Sequence, residues 1–124
     1  MAKSQPFSAV LRICDVAITR TALEAALQVK LDRFEVRDSG SAHYAQIAAP
    51  CGWSAIVDWL LTIGPQISVL RKKGAIGPAI IDLAISFDAD LASLSIDLPS
   101  YAAEAIGRHG IDIEFSVYRT TERD

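Results

Sequence analysis

The clearest pattern in the chain is the alternation of apolar and polar residues in its C-terminal segment, Gly110–Arg119. The odd positions from 111 to 117 are apolar, whereas Asp112 and Glu114 are among the even positions. Side chains of a β-strand point alternately to opposite faces, so this period of two predicts a strand with one buried face and one acidic face.

The same alternation predicts further strands. Phe7–Cys14 is the first, and Arg33–Arg37 and His43–Ala48 form a shorter pair joined by an Asp-Ser-Gly turn. Ile81–Phe87 and Leu94–Leu98 also alternate, and the Asp-Ala-Asp turn between them predicts that they form a hairpin.

Helical periodicity and end signals separate these strands. The predicted helices are Arg20–Val29, Pro50–Ile63, a short Pro65–Lys73 and Pro99–His109. Thr19 and Thr21 are equally good caps for the first helix, and Glu24 gives Thr21 the spacing of a capping box. Gly64 and Pro65 predict the end of the second helix, because this pair usually terminates helices.

Together these elements predict an α+β fold. Strands that alternate strongly are typical of an antiparallel sheet with one covered face. We expect a single domain over residues 1–124, with a five- or six-stranded, largely antiparallel sheet and helices packed on one face, a two-layer sandwich in the ferredoxin-like style.

The uncovered face of such a sheet is polar. Its candidate binding residues are Arg12, Asp82, Asp97, Asp112, Glu114 and Tyr118. Three interpretations are open: a solvated face with cross-strand ion pairs, a binding surface for a protein partner or a second copy, and a catalytic carboxylate pair. The last is least favoured, because an exposed face does not push two carboxyl pKa values apart.

A second candidate surface is the region of low charge around Trp59. Trp53, Ile56 and Leu60 share one face of the predicted helix, and Trp59 is placed well away from that stripe. Either the following helix folds over Trp59 within one subunit, or Trp59 anchors a homodimer contact, a role in which Trp is common.

Composition and charge narrow the function classes. Net charge is −3, with nine Lys/Arg against six Asp/Glu in residues 1–73 and three against nine in residues 74–124. The acidic second half argues against nucleic acid as a partner. We expect no membrane span, because Asp58 interrupts the longest apolar run. Two cysteines and the absence of a signal-like start favour the cytoplasm of a bacterium-like cell.

Candidate chemistry is sparse. Cys51, near a predicted helix start, and His43 could form a nucleophilic pair, but no local motif supports it, so we assign no catalytic residue. Two histidines far apart and no Cys-x-x-Cys give no support for a metal or another cofactor. The basic run Arg71–Lys73 and His109 are expected to interact with helix C-termini.

Several segments resemble a known family. They are the strand Ser8–Ile13 leading into a helix, Trp53-Ser54 before a Leu-rich helix, and Ser95–Ser100 followed by Gly110–Phe115. In this order they resemble the bacterial family called domain of unknown function 4279. The resemblance implies no established catalytic residues. Small acidic bacterial domains of this kind include immunity proteins that neutralise toxins, an analogy only.

The sequence therefore favours a domain that acts by binding protein, including self-association as a homodimer. One alternative is a small-molecule sensor or enzyme with a pocket between helices and sheet. Another is an immunity-type protein that neutralises a toxin.

Overall fold

The structure, a computed structural model, describes residues 2–3, 8–37, 42–88, 90 and 93–120. Its elements in chain order are β1 (Ala2–Lys3), β2 (Ser8–Val16), α1 (Arg20–Leu27), β3 (Arg33–Glu35), β4 (His43–Ala49), α2 (Trp53–Lys72), β5 (Ala79–Asp88), β6 (Leu94–Ser95), α3 (Ser100–Arg108) and β7 (Asp112–Thr120). The turn predicted at residues 38–40 lies outside the described residues.

Five strands form the main sheet, in the order β3-β4-β2-β5-β7. The pairs β3–β4, β4–β2 and β2–β5 are antiparallel, whereas β5 and β7 are parallel. Parallel neighbours need a crossover connection, and here the segment containing α3 provides it. The predicted α+β class with a five-stranded, largely antiparallel sheet is confirmed, although the sheet is mixed.

One apolar core joins this sheet to all three helices. The inward positions of β2 and β5, such as Leu11 and Leu83, are completely buried and belong to the same cluster as Leu23 of α1, Ile63 of α2 and Ile106 of α3. The alternate positions of β2 and β5 are only half-buried or exposed. The described helices therefore cover one face of the sheet and leave the other open, as the period of two predicts.

The predicted hairpin of Ile81–Phe87 with Leu94–Leu98 is wrong. The second segment contributes only β6, which pairs in parallel with β1 in a separate two-stranded sheet. The neighbour of β5 on that side is β7. A turn signal between two alternating segments shows that the chain bends there, but it does not determine which strand becomes the neighbour.

The predicted helix end at Gly64 and Pro65 is also wrong, because α2 continues through both residues to Lys72. A proline inside a helix removes one backbone hydrogen bond and crowds the carbonyl four residues earlier. Pro65 and Leu61 are both exposed, so that carbonyl is on the solvent side of α2, where water can hydrate it.

By length and mean hydropathy (1.2), α2 could also cross a membrane, which the sequence prediction did not anticipate. Such a test is weak, because the core helix of a soluble domain passes it equally. The stripe from Trp53 to Leu70 on α2 is buried in the core, and 39% of the apolar window is buried in all.

Candidate functional site

The open face is the side of the main sheet that no described helix covers. Strand register places on it Ser8, Val10, Arg12, Arg33, Glu35, Tyr44, Gln46, Ala48, Ile80, Asp82, Ala84, Ser86, Asp112, Glu114, Ser116 and Tyr118. Its carboxylates concentrate on β5 and β7, whereas its cations lie on β2 and β3. The half of the open face formed by β5 and β7 is therefore acidic.

Arg12, on the central strand, connects the two halves of the open face. Its Nη2 contacts Glu114 Oε1, and its Nε lies 4.0 Å from Asp82 Oδ2. Ser116 donates a hydrogen bond of 2.8 Å to Asp82 Oδ1. These four side chains form what we call the Arg12 cluster. The side chain of Asp82 is 17% exposed and that of Glu114 is 48% exposed, so solvent screens the outer pair and each pair contributes about 1 kcal/mol or less.

The Arg12 cluster is not fully satisfied. Arg12 Nε is buried and, among the described residues, has no hydrogen-bond partner. An unsatisfied buried donor costs free energy. Arg12 thus keeps one buried donor without a partner in the described part of the chain, although its Nη2 donates a hydrogen bond to Glu114.

The opposite corner of the open face is formed by β3 and β4. Glu35 contacts Arg33, and its Oε1 lies 3.5 Å from Nη2 of Arg37. Tyr44 donates a hydrogen bond of 3.1 Å to Oε1 of Gln46, and burial raises the pKa of Tyr44 above its ordinary value. Two arginines share one carboxylate in this corner, so it carries a net positive charge, unlike the half formed by β5 and β7.

The structure places the binding residues predicted for the open face together, with one exception. Arg12, Asp82, Asp112, Glu114 and Tyr118 all lie on the open face. The assignment of Asp97 to that face is wrong, because β6 ends at Ser95 and is not part of the main sheet. The Asp97 carbonyl instead accepts a hydrogen bond of 2.9 Å from Trp53 Nε1.

Trp59 is closer to the core than the sequence analysis placed it. It lies one helical turn from both Ile56 and Ile63, is half-buried and packs against the core of its own subunit. The buried stripe of α2 includes Ile67, beyond the predicted helix end. Its centre therefore lies nearer to Trp59 than the stripe read from the shorter predicted helix. No separate helix follows to fold over Trp59, so that alternative is wrong; a homodimer contact there stays a prediction.

A cleft of about 440 Å³ lies at the register shift of β2 against β4, between Ile13 and Val16. Its lining residues are Cys14, Asp15, Arg37, Ala42, His43 and Tyr44. The register of β2 against β4 shifts here, and Asp15 adopts a left-handed conformation with φ of 51°. His43 therefore shares this cleft with Cys14, the cysteine that received less weight in the sequence analysis, while Cys51 is outside the lining. No sequence signal marks such a register shift.

A second cleft, of about 400 Å³, lies between the ends of α2 and α3 and is lined by Ser68, Arg71, Lys72, Arg108, His109 and Gly110. Arg71 Nη1 donates a hydrogen bond of 2.6 Å to the Gly110 carbonyl. Arg108 pairs with Glu104 one turn earlier. These two arginines therefore bind groups of the protein itself; the bond of Arg71 goes to a carbonyl just beyond α3 and not, as the sequence analysis predicted, to the end of its own helix.

Within the part of the chain that the structure describes, no polar or charged residue is buried, and no three His, Cys, Asp or Glu side chains are grouped so that they could hold a metal ion. The space between helices and sheet is filled by apolar side chains. Both clefts lie at the ends of this layer. No family model, curated protein or solved structure matches the chain.

Proposed function

We propose that this chain is a small protein-binding domain that uses the open face of its sheet. The observation that carries the proposal is that all three described helices pack on one side, which leaves a broad sheet surface uncovered. Small residues such as Ala84 and Ser116 lie between its charged ones, so a partner can approach closely. We further propose that the chain belongs to the domain of unknown function 4279 family, which its sequence resembles. A binding role is compatible with this resemblance.

The charge of the open face defines the chemistry of the partner. Asp82, Asp112 and Glu114 lie on neighbouring strands, and Arg12 is the cation that contacts two of them. The complementary surface is a basic patch on another protein, since opposite potentials speed association and exclude wrong partners. A basic toxin is one form of such a partner. The chain has only two cysteines, too few for a disulfide framework, and this supports the further proposal that the domain acts in the cytoplasm.

The test is affinity capture from native lysate with matched charge variants. Asp112→Lys/Glu114→Lys reverses two carboxylates on the open face, and Asp58→Lys/Glu104→Lys makes the same change on exposed helix positions. We expect the open-face variant alone to lose its companions, with circular dichroism showing that both variants are folded. Recovery of the same companions by all three proteins would show that the open face is not the binding surface.

A second candidate function is supported by the cleft at the register shift. A thiol, an imidazole, a guanidinium and a phenol line one recess there, which is the kind of polar set that fixes a small ligand. The test of ligand binding in this cleft is a thermal-shift screen of small polar metabolites against wild type, Cys14→Ser and Tyr44→Phe. A rise in Tm that both variants abolish supports this function, and a rise that both retain contradicts it.

A further inference from the structure

Strand β7 has an unprotected outer edge. It is the last strand of the main sheet, and within the described residues its outer side pairs with no other strand. In a parallel pair, alternate residues turn their N–H and C=O groups toward the neighbour, so the remaining residues of β7 turn theirs outward. This edge is nine residues long, whereas the opposite edge strand, β3, has three.

Several of the usual protections of an edge strand are missing from β7, although it carries the charged residues Asp112, Glu114 and Arg119. Its sequence, DIEFSVYRT, has no Pro or Lys, and its register with β5 is continuous from Asp112 to Thr120 without a bulge. Natural proteins use those devices, or very short strands, to prevent edge-to-edge pairing. A long, regular and uninterrupted edge is therefore available for another strand.

Apolar side chains lie along this edge of the sheet, on the helix side of β7. On the helix side of β7, Ile111 is buried and Ile113 is half-buried, but Phe115 is 37% exposed and Val117 is 48% exposed. The apolar row thus continues from the core into solvent at the sheet edge. A strand that paired here would bury these side chains as well as the backbone groups.

We propose that β7 pairs antiparallel with β7 of a second copy, about a two-fold axis that passes through Ser116. In this register Phe115 lies opposite Val117 of the second copy, and the axis repeats that contact. Aromatic and β-branched side chains are favourable cross-strand pairs. Glu114 lies opposite Tyr118 of the second copy, so the register places no like charges face to face. The sequence of β7 is thereby complementary to itself, which selects a second copy as the occupant.

Pairing of this kind joins two five-stranded sheets into one sheet of ten strands. The open faces of both copies then lie on the same side, and their acidic halves meet at the two-fold axis. This inference deepens the proposed function, and the role of the joined face rests on that function. A surface that presents two identical acidic patches binds a partner with two basic patches with avidity.

The test measures the mass of the full chain by sedimentation equilibrium at about 100 μM, far above a micromolar Kd. Val117→Lys places a charge on the edge, and Val36→Lys is the matched control, since Val36 is 71% exposed just beyond β3, the other edge strand. We expect wild type and Val36→Lys to be dimers and Val117→Lys to be a monomer that circular dichroism shows to be folded. A monomeric wild type, or a dimer that survives Val117→Lys, would overturn the inference.

A second variant tests the register and covers a failure of Val117→Lys to fold. In a background with Cys14→Ser and Cys51→Ser, Ser116→Cys is expected to form an oxidised dimer, whereas Ser86→Cys on β5 is not, because its two copies lie several strands apart. Disulfide formation by Ser86→Cys alone would contradict edge pairing. If the wild type is a monomer but capture still depends on Asp112 and Glu114, only this inference fails and the proposed function stands.

Discussion

The contact between Gly64 on α2 and His109 at the end of α3 leads to a quantitative prediction. The imidazole ring lies against the Gly64 Cα, and a Cβ added there would be 2.6 Å from Nε2 and 2.8 Å from Cγ of His109. Real Cβ contacts essentially never fall below 3.0 Å. The substitution Gly64→Ala therefore forces the His109 ring to move.

Two opposing effects set the size of the change. Ala is favoured over Gly in a helix interior by about 1 kcal/mol. Overpacking of a filled site costs about 1–3 kcal/mol, since neighbouring atoms must leave their preferred positions. Taking the middle of that range, Gly64→Ala lowers the free energy of unfolding by about 1 kcal/mol, or about 4 °C in Tm for a domain of this size. In a His109→Ala background the ring is absent, and the same substitution raises stability by about 1 kcal/mol.

Urea denaturation of wild type, both single variants and the double variant gives the four free energies of this cycle. The effect of Gly64→Ala should change sign between the two backgrounds, with an interaction energy of about 2 kcal/mol. If Gly64→Ala is equally stabilising in both backgrounds, the ring does not lie against Gly64 and the described packing of α2 on α3 is wrong.

Two further predictions concern α1 and the segment that follows it. Thr19 accepts a hydrogen bond of 3.1 Å from the Ala22 N–H at the start of α1, so Thr19→Ala should cost about 1 kcal/mol in urea denaturation and Thr19→Ser little; equal losses would contradict the cap. The Leu31 N–H donates a 2.9 Å hydrogen bond to Glu24 and holds the pKa of that carboxyl below its ordinary value of 4.5. The ionised Glu24 carboxylate stabilises the fold above pH 4.5, and this stabilisation is lost as the pH falls through the lowered pKa. Glu24→Gln should therefore reduce the dependence of the free energy of unfolding on acid pH. An unchanged pH profile would contradict this.

The sequence predicted the layers of the fold well, because burial on one side of a sheet imposes a period of two that can be read directly. The alternation in Ile81–Phe87 appears in β5 as three alternately buried positions, Ile81, Leu83 and Ile85. The same rule placed Asp82 and Glu114 together on the open face, although 32 residues separate them in the chain.

Pairing partners and helix continuity could not be predicted in the same way. Nothing local in Leu94–Leu98 indicates that β7, and not this segment, becomes the neighbour of β5. Whether Pro65 ends α2 depends on whether it lies on the solvent side or the core side of the helix. The sequence alone does not show which side of α2 packs against the core. The cleft that joins Cys14 to His43 depends on a register shift, which is a property of two strands and not of either sequence alone.

The central position of β2 has a consequence for synthesis of the protein. β2 is translated before β5, its neighbour on one side, which follows only after the β3–β4 pair and the whole of α2. While the ribosome is still producing α2, one side of β2 has no strand to pair with and Leu11 has no complete core to enter. We expect nascent chains that stop before residue 79 to be held by chaperones and released once β5 emerges, since long-range strand pairing is slow and exposed to aggregation.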